Sequence, residues 1–343
     1  MRPTKLLLLV FTAFLLGCET SPPGVAPADA GPDRVDAESG GASPGFVVAY
    51  NELAREAGAR ILEQGGSAAD AFIATTLVEY VIAPSGVTTL AGPLGVLVVE
   101  ENGQVVSLEA NMNAPESPEG RYDPAAPTIG DTALVPGAPR ALEALSQRYG
   151  TLPWADVVEP ARRIAEEGFV IDRNFAFGIT SRRDVLERTE YGRETFFDAA
   201  GEPRRTGENF RQPVLAEFLA RFAAEGADAV YTGAFAERFR DTVEAAGGAI
   251  TLEELARYRV SFEEPWVLRY RDADVYSISG RAYGGAFVLM GLSALEHGGY
   301  SLNGRSEVDR LELLIRTARA TYFEDWLFDA RVAQREEVVA RLA

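Results

Sequence analysis

The sequence predicts a mixed fold in which helices pack on a β-sheet, of the α/β or α+β class. Between Leu53 and Glu109 an amphipathic helix, a helix that is apolar nearly all round and a β-hairpin follow one another. A helix that is apolar on every side must be buried between other elements, and a hairpin needs a layer to cover its apolar face. We therefore expect this stretch to form the centre of the domain.

The two helices of this stretch have clear ends. In the first, apolar residues recur every four positions over 53–61 among charged ones, which places them on one face. Gly65 can adopt the left-handed conformation that closes a helix, and Ser67 with Asp70 caps the next helix. That second helix, 68–83, is too short to span a bilayer. It is predicted to be buried in the core.

The hairpin is predicted from an apolar strand, Val96–Val99, a turn at Asn102-Gly103 and a return strand, Val105–Leu108. The other predicted elements are a proline-rich surface excursion 113–139, helices 140–148 and 154–167, a charged irregular segment 172–205, two helices within 212–246, a short helix capped by Thr251, strands 266–270 and 275–279, an apolar helix ending at Leu295 and a helix 311–328. Trp154 is expected to pack the start of its helix rather than to bind a ligand.

Composition excludes some functions. The chain has 343 residues, of which 47% are hydrophobic and 24% charged, so it can bury a sizeable core without disulfides. Its formal net charge of −18 argues against nucleic acid as a partner, because phosphates require a basic surface. Otherwise an acidic balance of this kind chiefly reports solubility.

The first residues have the pattern of a bacterial lipoprotein signal, predicted over 1–18. A basic start precedes an apolar run, and Cys18 stands where lipidation requires a cysteine. The alternative is an ordinary signal peptide with an incidental cysteine. Residues 19–44 are rich in Pro, Ala, Gly, Ser and Asp and are predicted to be a flexible tether. The sequence thus predicts a lipid-anchored envelope protein, on the periplasmic or outer-membrane face, whose folded domain covers 45–343.

Four segments resemble one known family. They are AREAGARILEQGGSAADAFIATTLVEYVIAPSG (54–86), YGTLPWADVVEPARRIAEEGF (149–169), QPVLAEFLARFAAEGADAVYTGAFAERF (212–239) and AAGGAITLEELARYRV (245–260). They are similar to the large-subunit portion of γ-glutamyltransferases, also called glutathione hydrolases, from about Asn51 to Asp329. The resemblance implies an α+β fold, the four-layer αββα sandwich of the N-terminal-nucleophile hydrolases.

The resemblance also implies a mechanism. Members of this family are made as a precursor that cuts itself into a large and a small subunit. The new N-terminal threonine of the small subunit attacks a γ-glutamyl amide with its own amine as base, and backbone N–H groups stabilise the oxyanion. The γ-glutamyl group then passes to water or to an amine. A small subunit and a γ-glutamyl peptide are therefore the expected partners, and no cofactor or metal is expected.

No catalytic residue is predicted within this chain, which ends before the expected Thr-Thr-His-type motif. Its threonine pairs, Thr75-Thr76 in a buried helix and Thr88-Thr89 in a loop, do not begin a strand after a cleavage site. Its single histidine, His297, is explained by a helix C-terminus. Cys18 is the single cysteine, so no Ser-His-Asp triad, Cys-His pair or zinc cluster is predicted.

The sequence departs from the family at a binding position. The family has an arginine after the hairpin, in a segment like Asp-Phe-Arg-Glu-Thr-Ala-Pro, that binds the substrate's α-carboxylate. Asn111 stands there in this chain, and a neutral amide cannot make the same bidentate contact. Arg121 is a conceivable substitute. The family's glycine run before the first strand is also altered, at 88–93.

Three hypotheses follow, and the sequence leaves open whether the chain takes part in catalysis. The first is the large-subunit portion of a γ-glutamyl transferase or hydrolase that works only with a small subunit. The second is a catalytically inactive envelope lipoprotein that binds a peptide or a protein partner. The third is a structural or decaying fragment with exposed sheet edges and apolar faces.

Overall fold

The computed structural model describes residues 45–83, 89–116, 128, 130–279, 283–297 and 304–322. Its helices are α1 (Glu52–Glu63), α2 (Ala68–Ile82), α3 (Ala138–Tyr149), α4 (Trp154–Glu167), α5 (Arg173–Ser181), α6 (Arg183–Leu186), α7 (Glu190–Phe196), α8 (Pro213–Glu225), α9 (Asp228–Tyr231), α10 (Gly233–Ala245), α11 (Leu252–Ala256), α12 (Tyr283–His297) and α13 (Glu307–Tyr322), with a 3₁₀ turn at Gly130–Thr132. Its strands are β1 (Leu94–Val99), β2 (Val105–Ala110), β3 (Phe169–Val170), β4 (Asn209–Phe210), β5 (Ser261–Glu263), β6 (Trp266–Tyr270) and β7 (Ala273–Ser277).

An antiparallel sheet of order β1-β2-β5 lies against the main helical core. Val96 pairs with Leu108, and Leu108 pairs with Phe262, so these three side chains share one face. That face joins a single apolar core with residues of α1, α2, α3, α4 and α8. The opposite face of β2 carries Ser107 and Glu109, both buried although polar.

The hairpin β6–β7 forms a second layer with its own helical cover. Trp266 and Leu268 of β6 pack with Ala286 and Leu289 of α12 in a separate apolar cluster. On the other side, Ile278 reaches the first sheet, where a Cβ at Gly95 would lie 2.5 Å from its Cδ1. A side chain at position 95 would therefore displace the end of Ile278. The order of layers is helices, sheet, sheet and helix.

Most of the predicted elements are present. The capping box of Ser67 and Asp70 begins α2, and Gly65 has a positive φ of 85° after α1. Trp154 is the first residue of α4 and fixes the start of this helix. Its Nε1–H donates to the carbonyl of Phe222 in α8 at 2.8 Å. No helix within the described ranges is long and apolar enough to cross a membrane.

The segment 172–205 corrects the sequence prediction, because it contains α5, α6 and α7 rather than irregular chain. Asp172 accepts a hydrogen bond from the N–H of Phe175 at 2.7 Å and caps α5, which buries Phe175 and Ile179. The many charged neighbours obscured this short apolar stripe. The proline-rich excursion also ends earlier than predicted, because Pro139 lies inside the first turn of α3, where its missing N–H costs nothing.

Asp70 ties the start of α2 to the loop between α3 and α4. Its fully buried carboxylate accepts hydrogen bonds from the N–H and hydroxyl of Thr151, both at 2.9 Å, and from the N–H groups of Ser67 and Leu152. Burial alone would raise the pKa of Asp70, but these hydrogen bonds outweigh it and lower the pKa. The ionised form is therefore the one that holds the loop.

We expect Asp70→Asn to lower the free energy of unfolding at pH 7 by about 2 kcal/mol, because hydrogen bonds to a charged acceptor are lost. The lowered pKa means that this stabilisation is present above the ordinary pKa of about 4 and is lost as the pH falls through the folded-state pKa. Urea titrations at pH 7 and pH 3 measure both effects. Asp184→Asn, on an exposed carboxylate, is the control. A gap between Asp70→Asn and wild type that widens in acid would contradict the assignment.

Candidate functional site

A polar cluster is buried at the end of β2, between the two sheet layers. Ser107, Glu109 and Asn111 alternate along the chain and so point to the same side. Glu109 is only 6% exposed, and its Oε1 accepts hydrogen bonds from the hydroxyls of Ser107 at 3.0 Å and Ser279 at 3.2 Å. The backbone N–H of Ser279 donates to the Ser107 hydroxyl at 3.0 Å. A segment after β7 therefore completes a site that begins on β2.

The surroundings of Glu109 make its carboxyl group a weaker acid. Burial raises the pKa of its carboxyl group, and the negative charge of Glu263 on β5 adds to the rise. Hydrogen bonds from Ser107, Ser279 and Asn111 reduce the shift without cancelling it. A buried acid with a raised pKa, at a junction between layers, is the kind of group that marks functional sites.

Asn111, the predicted binding residue, belongs to this cluster. It is half-buried, and its Nδ2 group lies 3.5 Å from Oε2 of Glu109. Sequence reasoning singled out Asn111 but missed Ser107, Glu109 and Ser279. The alternation Ser-x-Glu-x-Asn along β2 was a usable signal, because a charged residue on the inward side of a strand needs partners. Ser279 comes from 170 residues along the chain, beyond any local pattern.

Helix α11 and the residues after it hold the segment that follows β2. The hydroxyl of Tyr258 donates to the carbonyl oxygen of Asn111 at 2.5 Å, and the carboxylate of Glu254 accepts from the N–H of Glu116. Arg257 forms an ion pair with Glu116 at 2.6 Å. The ring of Tyr258 stacks on Tyr231 with centroids 5.5 Å apart. These contacts fix the position of the Asn111 backbone.

Thr75 lies in a buried helix, as the sequence predicts. The hydroxyl of Thr75 donates to the carbonyl of Ala71 at 2.7 Å within α2, which is a structural role. Cys18 and Arg121 lie outside the described residues, as does the side chain of His297, whose backbone ends α12. Within the described ranges, no group of three or more His, Cys, Asp or Glu side chains could hold a metal ion.

Comparison with known proteins identifies the family. The family model Gamma-glutamyltranspeptidase matches residues 54–343. The chain belongs to the γ-glutamyltranspeptidase family. It is 28% identical over 303 residues to the glutathione hydrolase proenzyme of Bacillus subtilis, covering 81% of this chain and 49% of that protein. It is 31% identical over 317 residues to the Acylase ACY 1 proenzyme of a Pseudomonas species, covering 88% of this chain and 56% of that protein.

Solved structures confirm the fold of this γ-glutamyltranspeptidase-family chain. The crystal structure of Helicobacter pylori γ-glutamyltranspeptidase matches with a TM-score of 0.79 and 25% identity, covering 88% of this chain and 90% of that one. Cephalosporin acylase from Bacillus halodurans matches with a TM-score of 0.69 and 26% identity, covering 84% and 57%. The predicted α+β αββα sandwich, in its large-subunit part, is therefore confirmed. The chain spans about half the length of the curated relatives it matches.

Removing the Tyr258 hydroxyl tests how Asn111 is held. We expect Tyr258→Phe to cost about 1 kcal/mol of unfolding free energy, the net worth of one hydrogen bond. Hydrogen exchange should accelerate in residues 109–116 more than elsewhere, because the carbonyl of Asn111 loses its donor. Tyr276→Phe, at an exposed tyrosine, is the matched control. Unchanged exchange in 109–116 would show that Tyr258 does not position this segment.

Proposed function

We propose that this chain is the large subunit of an enzyme that hydrolyses or transfers γ-glutamyl amides, and that it acts only with a small subunit carrying an N-terminal threonine. The observation that carries the proposal is a pair of β layers with exposed apolar side chains on their inner sides. Val99 of β1 is 69% exposed and Val267 of β6 is 52% exposed. Leu97 and Tyr276, on the same faces, are also exposed.

These faces have the chemistry of an interface with further β-structure. Val267 pairs with Tyr276, so both lie on the side of the hairpin opposite to α12. Leu97 and Val99 lie on the side of β1 opposite to the helical core. Within the described ranges β1 pairs only with β2, and β6 only with β7, so strand edges accompany these faces. Exposed edges beside apolar patches favour pairing with another chain.

The relatives also support the proposal of a large and a small subunit. The Bacillus subtilis and Pseudomonas proteins are named proenzymes, a glutathione hydrolase and an acylase, and each is about twice as long as the part that this chain matches. The threonine nucleophile is then supplied by the small subunit, and its own amine serves as base. The polar cluster at the end of β2 is the contribution of this chain, a wall against which the acyl group of the substrate is positioned.

The presence of asparagine at position 111 favours a second candidate, a catalytically inactive envelope lipoprotein that binds a peptide or protein partner. The neutral amide of Asn111 cannot form the charge-assisted pair that a substrate carboxylate prefers. The two candidates separate on one measurement. Release of the aniline from γ-glutamyl p-nitroanilide by protein purified from its native cells excludes the inactive lipoprotein.

The existence of the small subunit is tested directly by isolating it and identifying its first residue. The tagged chain, purified from native cells, should bring down a second chain whose first residue is threonine, as read by N-terminal sequencing. Val267→Glu should reduce the amount of that chain recovered at least tenfold, because a charge would be buried in the interface. Val185→Glu, at an exposed valine of α6, should leave it unchanged. Full recovery with Val267→Glu would contradict the proposed interface.

We also propose that the protein is exported and anchored through lipid on Cys18, with residues 19–44 as its tether. The support is the order of basic residues, apolar run and cysteine at the start of the chain. Radiolabelled palmitate should be incorporated into the wild-type protein in cells, and Cys18→Ser should abolish both the label and recovery in the membrane fraction. Unlabelled wild-type protein would refute the anchor.

A further inference from the structure

The two carboxylate oxygens of Glu109 are used unequally. Oε1 accepts two hydroxyl hydrogen bonds, from Ser107 and Ser279, whereas Oε2 receives one contact, from Asn111 at 3.5 Å. An ionised carboxylate has about four acceptor positions, and 3.5 Å is longer than typical N–H···O hydrogen bonds of roughly 2.7–3.2 Å. Oε2 therefore keeps acceptor capacity on the side of Asn111.

The side chain of Asn111 adds a second acceptor beside Oε2 of Glu109. One N–H of its Nδ2 group is directed at Glu109, and Oδ1 of this half-buried side chain remains an acceptor for a ligand. Among the described residues no hydrogen bond is donated to that oxygen, and no arginine is among the groups that shift the pKa of Glu109. A carboxylate oxygen next to an amide oxygen suits a ligand group with several N–H donors.

The charge around the cluster points in the same direction. Burial and the nearby Glu263 both raise the pKa of Glu109, and its hydrogen-bond partners Ser107, Ser279 and Asn111 are neutral groups. A ligand ammonium would neutralise this buried charge, whereas a ligand carboxylate would place a like charge beside it. The formal net charge of −18 also attracts cations over anions.

We propose that Glu109 and Asn111 together bind an ammonium group on the acyl part of the substrate, so that the enzyme prefers aminoacyl amides to acyl amides that carry a carboxylate at this position. The inference rests on the proposed function, which supplies the acyl amide as the substrate class. It adds the specificity of the acyl site and assigns that specificity to two residues of this chain.

The test compares two anilides that each keep one half of the γ-glutamyl group. The p-nitroanilide of 4-aminobutyrate keeps the amine and lacks the carboxylate, and the mono-p-nitroanilide of glutarate keeps the carboxylate and lacks the amine. With the assembled enzyme from native cells we expect kcat/KM to favour the aminobutyryl substrate by about tenfold or more. Asn111→Arg should reverse the preference, and Glu109→Gln should reduce it. Asn113→Arg, exposed two residues further along, should preserve it.

A wild-type enzyme that prefers the glutaryl substrate, or does not discriminate, overturns the inference. If neither anilide is hydrolysed, the same protein is assayed with γ-glutamyl p-nitroanilide, whose hydrolysis decides the proposed function, and calorimetric titration with 4-aminobutyramide and with glutaric acid monoamide decides the inference separately. Binding of the amine alone, weakened by Glu109→Gln, supports it; equal binding or no binding overturns it. Circular dichroism melting curves show whether Asn111→Arg is folded, and Glu109→Gln replaces it if it is not.

Discussion

The candidate site of this protein depends on the burial of one carboxylate between two sheets. Glu109 is buried, with 6% of its surface exposed, and its partners come from β2 itself and from the segment after β7. A buried acid without such partners would cost several kcal/mol. The hydroxyl of Ser279 therefore links the two β layers at the place where Ile278 packs over Gly95. Chemistry and layer packing share this corner of the molecule.

The two faces of the three-stranded sheet differ in how completely they are covered. The helical side is closed, because one face of the three-stranded sheet joins a continuous apolar core. The inner sides of the sheets are closed only near Glu109, and further along they present Val99 and Val267 to solvent. A sandwich of two sheets normally fills this space with interdigitating side chains. The proposed small subunit would fill this space with further β-structure.

Glu254 of α11 and the nearby Tyr258 form a clamp that extends the site away from the sheets. Tyr258 and Glu254 bind backbone groups of the segment after β2, so the position of Asn111 is set by a helix more than 140 residues further along the chain. The stacking of Tyr258 on Tyr231 anchors this clamp in the main core. The acyl-binding position proposed for this chain is thus supported by rigid elements rather than by a loop alone.

Local patterns were sufficient for most of the elements and for the family. Helix periodicity, the Ser67 cap and the Asn102-Gly103 turn act over a few residues, so they are readable in one dimension. They failed at 172–205, where Phe175 and Ile179 are too few to stand out among charges. Charge in a short helix says little about burial, because only one face needs to be apolar.

Asn111, at the position of the family's arginine, was visible in the sequence by itself, since it concerns residue identity within a motif. The grouping of Ser107, Glu109 and Asn111 with Ser279 was decided only by the tertiary structure. Strand alternation determines which side of β2 these residues take, but it cannot say what covers that side. Long-range contacts between layers decide what covers that side, and such contacts produce no periodic pattern in the sequence.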